Sequence, residues 1–351
     1  MAEFISFQPR DQFSATTQTG NASSQAITIR TGFSPSMIWN KRTDGQEQMY
    51  NFFSVMGTGE YQKLYSAVAD TTDAASITSF DANGFTLGNG GWNNNSEEYV
   101  NYCWNGDSTS VPSGGTITPT AANVNVTNGF AMFRYTGNGT AGATIAHGLG
   151  KIPTHIIIKG DRGSGWVSDN GTNAWDSNFL KRNSYAAQVS HHSPWNATAP
   201  TSTLFSLGND ADVNQSAEIY TAMVWTDITG YSKFGTYAGN GNSDGTFVYT
   251  GFSPKYVELK RYDSGSCNWT VWDSNKNPGN QADWYIYTDD GGSNNGYVES
   301  GAGANNIDIL SNGFKLRSTA SCTNHSSGNF RYAAFAEFPI VSSNDGPVVA
   351  R

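Results

Sequence analysis

YTGNG, Tyr135 to Gly139, carries no charge, no nucleophile and no set of metal ligands, yet the chain writes it again as YAGNG (Tyr237 to Gly241) and, altered, as QTGNA (Gln18 to Ala22). In a chain holding 39 Gly such a pentapeptide can recur by chance, so the residues downstream of each copy decide the matter. After QTGNA comes TGFSPSMIWNKR (Thr31 to Arg42), after YTGNG comes HGLGKIPTHIIIKGDR (His147 to Arg162), and after YAGNG comes TGFSPKYVELKR (Thr250 to Arg261). Each is a Gly turn, a proline and an alternating strand ending on lysine. Lys41, Lys159 and Lys260 stand six residues after Pro35, Pro153 and Pro254. A register kept three times marks an internal repeat.

Each copy has a second anchor further along: SFDANGFTLG (Ser79 to Gly88), TSTLFSLG (Thr201 to Gly208) and DILSNGFKLR (Asp308 to Arg317). Two of them set Asn-Gly before a Phe-x-Leu strand, a hairpin signal. A closing strand ends each copy, EYVNYCW (Glu98 to Trp104), IYTAMVW (Ile219 to Trp225) and NFRYAAF (Asn329 to Phe335), with aromatics five positions apart. The lysine anchors lie about a hundred residues apart, so the copies are domain-sized rather than solenoid units. No stretch keeps a helical apolar stripe. The expectation is all-β: three tandem homologous β-sandwich modules, lectin- or jelly-roll-like, over residues 1–115 (with a linker), 116–229 and 230–351, with a pseudo-threefold arrangement as one way to pack them. Gly106 to Gly129 reads as a linker or long surface hairpin, and Asp227 to Gly230 as a short joint.

Composition narrows function. Of 351 residues only 14% are charged, so the surface must be built from Asn, Ser, Thr and Gly. A net charge of -9 argues against a nucleic-acid partner. The N-terminus lacks the apolar core of a signal peptide and no apolar run is long enough for a helical span, so a soluble chain made in a cytoplasm, without membrane insertion, is expected. Cys103, Cys267 and Cys322 are odd in number and without C-x-x-C spacing, which reads as buried or incidental thiols.

Reactive constellations are sparse, and no catalytic residue and no cofactor site is assigned. Asp210, Asp212 and Asn214 alternate as calcium ligands do, but the central Gly and the twelfth-position Glu of such a loop are missing, which favours an Asx-rich turn. His191 and His192 lack a third ligand at useful spacing. The doublets Glu97-Glu98 and Asp289-Asp290 point to opposite faces of any strand that holds them. The repeat lysines are expected to cap edges or to pair with Asp44, Asp161 and Asp263. Trp39, Trp104, Trp225 and Trp269 sit in repeat strands and read as core. Trp92, Trp175, Trp195 and Trp284, flanked by Asn, Asp or Ser in loops, are the residues that could stack on sugars, with partial burial as the alternative.

The chain resembles an uncharacterised triple-repeat protein family of tailed, mostly marine phages that is assigned to the virion. The features that carry the resemblance are ISFQPRDQF (Ile5 to Phe13), the YTGNG turns, GFSP before a strand ending in Lys-Arg, SNGFKL, and YAAFAEFP (Tyr332 to Pro339) closing on Ala350-Arg351. It implies a particle component with lectin-like sandwich modules, tail-fibre-like or structural, present in several copies or as an oligomer. Its expected partners are other virion proteins and host-surface glycans. Two functions are then expected: attachment to host glycans, or capsid decoration that binds virion proteins alone. A polysaccharide depolymerase is a distant third.

Overall fold

Short β-branched and aromatic runs broken by Gly, Asn and Asp satisfy their backbone groups by antiparallel pairing. The computed structural model describes residues 5–29, 32–45, 47–172, 175, 178–191, 193–289, 297–298 and 305–339, and it is all-β, with only short helical turns at Pro9–Asp11, Ala211–Asn214 and Ser321–Asn324 among them. The first large sheet has the order Phe13–Thr19, Glu98–Trp104, Met37–Arg42, Tyr50–Phe53, Glu60–Lys63, Thr71–Thr72. The second runs Ala121–Asn125, Phe130–Thr136, Ile219–Trp225, His155–Gly160, Trp166–Ser168, Asn178–Lys181, Val189–Ser190. The third runs Ser232–Ala238, Asn329–Pro339, Phe252–Arg261, Thr270–Asp273, Tyr285–Tyr287, Tyr297–Val298. In all three the closing strand is held between the opening strand and the strand bearing the repeat lysine. None of the sheets closes into a barrel.

A smaller sheet backs each large one: Gln25–Thr28, Gly84–Leu87 and Ile77–Asp81; Ala143–Ala146 and Leu204–Leu207; Phe247–Tyr249, Gly313–Leu316 and Ile307–Leu310. Between the layers lie three separate cores, containing for example Ile38, Phe52 and Phe85; Ile156, Val224 and Phe205; and Val257, Trp272 and Phe314. The opposite faces of the large sheets meet in a fourth core shared by all three copies: Met37, Trp39, Tyr102 and Trp104 from the first, Ile157, Trp166, Met223 and Trp225 from the second, Tyr256, Val271 and Phe335 from the third. At its centre the ring of Trp104 lies 6.4 Å from Trp225 and 5.6 Å from Phe335. Ile5 and Phe7 pack against the same core, Phe7 edge-on to Tyr231 at 5.3 Å. The alternation visible in the sequence therefore sorts residues between two cores, rather than between core and water. Ile219–Trp225 is accordingly buried at every position beyond its first residue.

The repeated pentapeptide docks on a repeated asparagine. Asn93, Asn214 and Asn324 are fully buried. The side-chain oxygen of each accepts from the turn asparagine's N–H (Asn21 at 3.2 Å, Asn138 at 2.9 Å, Asn240 at 3.0 Å), and its backbone carbonyl accepts from Ala22, Gly139 and Gly241. The amide donates to Ser23, Thr140 and Asn242 carbonyls, and again to those of Gly88, Gly208 and Ser318. The last residue of each pentapeptide has positive φ: 53° at Ala22, 71° at Gly139, 65° at Gly241. The first glycine is required for a different reason: a Cβ on Gly137 would lie 2.4 Å from the Gln215 carbonyl oxygen.

Of the two readings of Gly106 to Gly129, linker or long surface hairpin, the second holds for its latter part: Ala121–Asn125 forms a hairpin with Phe130–Thr136, although as an edge strand of the second large sheet rather than a surface loop. Two readings are corrected. Cys267 and Cys322 form a disulfide, and Cys103 alone is a free, buried thiol. Lys41, Lys159 and Lys260 are fully buried in strands inside their sheets and do not cap edges; Lys159 feels the charges of Asp70 and Asp161, and Lys260 that of Asp289 rather than Asp263. Their Nζ atoms donate to the carbonyls of Glu47, of Val68 and Gly160, and of Cys267, while Asp44, Asp161 and Asp263 bind Arg42, Arg134 and Arg261. A strand buried on both faces gives the lysine stem no route to solvent. Burial lowers the ammonium of Lys159, and that of Lys260 to about 8.

Candidate functional site

Of the four tryptophans read as sugar platforms, three are core residues. Trp92 is ringed by Tyr50, Phe52 and Tyr61 at 5.3, 5.9 and 5.1 Å. Trp175 and Trp195 pack edge-to-face at 5.3 Å within the second core. These neighbours occupy the ring faces that a sugar would need. Trp284 is half-buried, with the Lys276 ammonium 5.3 Å over its ring. Trp39, Trp104, Trp225 and Trp269 are buried.

Asp210, Asp212 and Asn214 form a turn. Asp210 caps the Ala211–Asn214 helix through the N–H of Asp212 and accepts from Ser193 Oγ at 2.7 Å. Asp212 accepts from the Gly165 N–H at 2.7 Å and faces Lys181, and Asn214 holds the pentapeptide turn. Among the described residues no group of three or more His, Cys, Asp or Glu is placed to hold a metal ion. His191 Nδ1 lies 2.7 Å from Ser193 Oγ. The hydroxyl thus sits between imidazole and carboxylate, whereas a nucleophilic triad needs the imidazole in the middle. Glu97 binds Arg42 and Tyr99 while Glu98 binds Thr19, so that doublet is divided between different partners. His192, Asp290 and Ala350-Arg351 lie outside the described residues.

The densest polar chemistry is a buried network where the second and third copies meet. Arg182 is fully buried and grips Glu258 with both terminal nitrogens, at 3.0 and 2.6 Å, its guanidinium 4.2 Å from the Trp269 ring and 5.1 Å from Trp39. Burial alone would raise the Glu258 carboxyl, but Arg182 holds it below its ordinary value. Beside this pair, Arg331 contacts Asp169 and His155, and His155 Nδ1 lies 2.5 Å from Asp169 Oδ2 with its ring stacked on Trp225. Burial and then Arg331 lower the imidazole to about 4, against the pull of Asp169. At the same seam Trp269 donates to the Lys181 carbonyl at 3.2 Å; at the other two, Tyr102 donates to Asp273 at 2.8 Å and Trp166 to the Lys63 carbonyl at 3.0 Å. Each of these side chains contacts another with little access to water, although Arg182 Nε and Arg331 Nε are buried without a hydrogen-bond partner, and the network ties the copies to one another.

Outward-facing positions of the small sheets differ from copy to copy. Ile27, Ile145 and Val248 are one buried position, each opposite a buried phenylalanine. Their strand neighbours are Ala26 and Thr28, both exposed, Thr144 and Ala146, of which Ala146 is buried, and Phe247 and Tyr249, both exposed. Phe247 is 43% exposed and Tyr249 62%. Opposite them stand Lys315 and Gly313, and beyond those Asp308 and Leu310. Lys315 and Arg317 both bind Asp244, at 2.6 and 2.8 Å, and Arg317 also reaches Asp308 at 2.9 Å. Read alone, TFVYTGF is an ordinary strand; aligned with QAIT and ATIA, its two aromatics stand out as unneeded by the scaffold.

A family model described as Domain of unknown function (DUF7483) matches residues 8–339, a span that takes in all three copies. No curated protein and no solved structure is significantly similar to the chain.

Proposed function

The chain belongs to the DUF7483 family, and from that premise we propose that it is a non-enzymatic structural protein of a tailed-phage particle, exposed on its surface and attaching it to host glycans in a tail-fibre or adhesin-like role. The observation that carries this reading is the shared aromatic core: three sheets from one chain converge on Trp104, Trp225 and Phe335, so the copies pack around one core with their small sheets on the far side of the large ones. Such a body displays loops and sheet faces, as an attachment module must. The charge-poor surface and the resemblance carried by ISFQPRDQF and the YTGNG turns support the same reading.

Capsid decoration is the second reading, favoured by the edge strand Val189–Ser190 of the second large sheet, where Val189 and nearby Tyr185 are exposed. An open edge with apolar neighbours suits assembly with another protein. A cryo-electron microscopy map of intact particles tests both. Density at the tail tip or fibres is the expected result, and density on the capsid lattice would replace attachment by decoration.

A further inference from the structure

We propose that the outer face of the third small sheet is a saccharide-stacking site for a neutral hexose or N-acetylhexosamine chain, built on Phe247 and Tyr249 and present once per chain. This deepens the attachment reading and rests on it. The repeat supplies the control. The fold needs an apolar residue at the position of Val248, and it forms twice with Ala26 and Thr28 or Thr144 and Ala146 on either side. Phe247 packs beside Gly313, but the first copy sets only Ala26 and Thr28 beside Gly84, so packing does not require both aromatics, and leaving the rings largely in water is unfavourable.

Geometry suits a sugar chain. Residues two apart on a strand share a face and stand about 7 Å apart, so one extended oligosaccharide can lie across both rings. Gly313 opposite Tyr249 cannot carry a side chain, since a Cβ would lie 2.0 Å from the Val248 carbonyl oxygen and 3.2 Å from Phe247 Cε2, so the Phe247 ring lies beside the glycine. Lys315 opposite Phe247, with Asp244, Arg317 and Asp308, supplies donors and acceptors already held in place by one another. Two acids against two bases leave the face near neutrality, which matches uncharged hydroxyls better than a phosphate or a sialic acid. Size argues against a protein partner. At the exposures above, two aromatic side chains offer on the order of 200 Å², whereas a stable protein interface covers about 800 Å² per partner.

The test is saturation-transfer NMR and titration calorimetry on the whole chain with three neutral probes: cellotetraose, tetra-N-acetylchitotetraose and maltotetraose. The comparison is the double variant Phe247→Thr with Tyr249→Ala, which installs the residues of the second copy. The expected result is transfer to at least one probe at one site per chain, weakened at least tenfold in the variant while the unfolding midpoint stays put. No transfer to any probe, equal transfer in the variant, or three sites per chain would overturn the site. Self-association by sedimentation that the double variant abolishes would overturn it in favour of a second copy as occupant. The particle map separates the two failures: a chain at the tail tip that binds no probe loses this site alone, whereas a sugar-binding chain on the capsid lattice loses the attachment reading alone.

Discussion

Asn93, Asn214 and Asn324 show how much one side chain can specify. Each joins a pentapeptide turn to the loop that precedes the closing strand, using its side-chain oxygen, its amide and its backbone carbonyl together. Asn214→Ala should destabilise the chain by about 2–4 kcal/mol, because the Asn138 N–H and the Thr140 and Gly208 carbonyls lose their partner in a buried place; urea unfolding measures it. Ala22→Gly should act the other way. Ala22 holds a φ of 53°, where the second and third copies use glycine, so relief of left-handed strain outweighs the added chain entropy by roughly 0.5–1 kcal/mol and raises the urea midpoint. The turns were legible in the sequence because Gly and Asn repeat there. The anchoring asparagines were not, since GGWNNN, DADVNQ and SCTNHS share little but the asparagine. For the same reason Asn214 reads as a calcium-loop position until its contacts are seen.

At the scale of elements, one joint is fastened by different chemistry in two copies. Ahead of Trp166, the Gly165 N–H donates to Asp212. At the corresponding place ahead of Trp269, Cys267 is bonded to Cys322 across 55 residues. Closing a loop of that length stabilises by about 2–4 kcal/mol, so reductant should lower the thermal midpoint of the native chain and leave that of Cys322→Ser unchanged. In denaturant without reductant one thiol, that of Cys103, should titrate; three should titrate after reduction. An odd cysteine count with no motif hid this bond, and only the packing of the Ser321–Asn324 turn against the loop after Arg261 brings the two sulfurs together. The Asn-Gly hairpins were legible, although Gly84 and Gly313 are required chiefly because the neighbouring strand passes close: a Cβ on either would lie 2.0 Å from a carbonyl oxygen.

For the whole molecule, the seam between the second and third copies carries the sharpest predictions. Arg182 stands where the first copy has Leu64, and Glu258 where it has Trp39, as the strand registers show. Arg182→Leu strands a buried carboxylate and should cost about 3–5 kcal/mol, most of it recovered by adding Glu258→Leu, because a buried pair removed together leaves no unpaired charge; a double-mutant cycle of urea midpoints checks this. His155 gives the seam a pH dependence. Asp169, Arg331, Arg182 and Glu258 surround it, and its folded value of about 4 lies below the ordinary 6.5. Between those values the unfolded chain binds more protons, so stability is present above pH 6.5 and is lost as pH falls toward 4. Shortfalls of that size are worth about 3 kcal/mol. His155→Met, which installs the Met37 of the first copy, should flatten that part of the stability profile relative to the unaltered chain.

The sequence by itself determined the all-β class, the order of the repeated strands and the positions of their turns, because these depend on local backbone preference and on a period of two along each strand. Tertiary structure decided which core each residue enters. A period of two says that Trp39 and Ile38 face opposite ways but not that both ways are buried, and with both faces covered, lysines became interior donors, loop tryptophans became packing and distant cysteines became a bond. It also decided that Phe247 and Tyr249 remain in water, since exposure is a property of what fails to pack over a face, and a strand cannot state that in its own sequence.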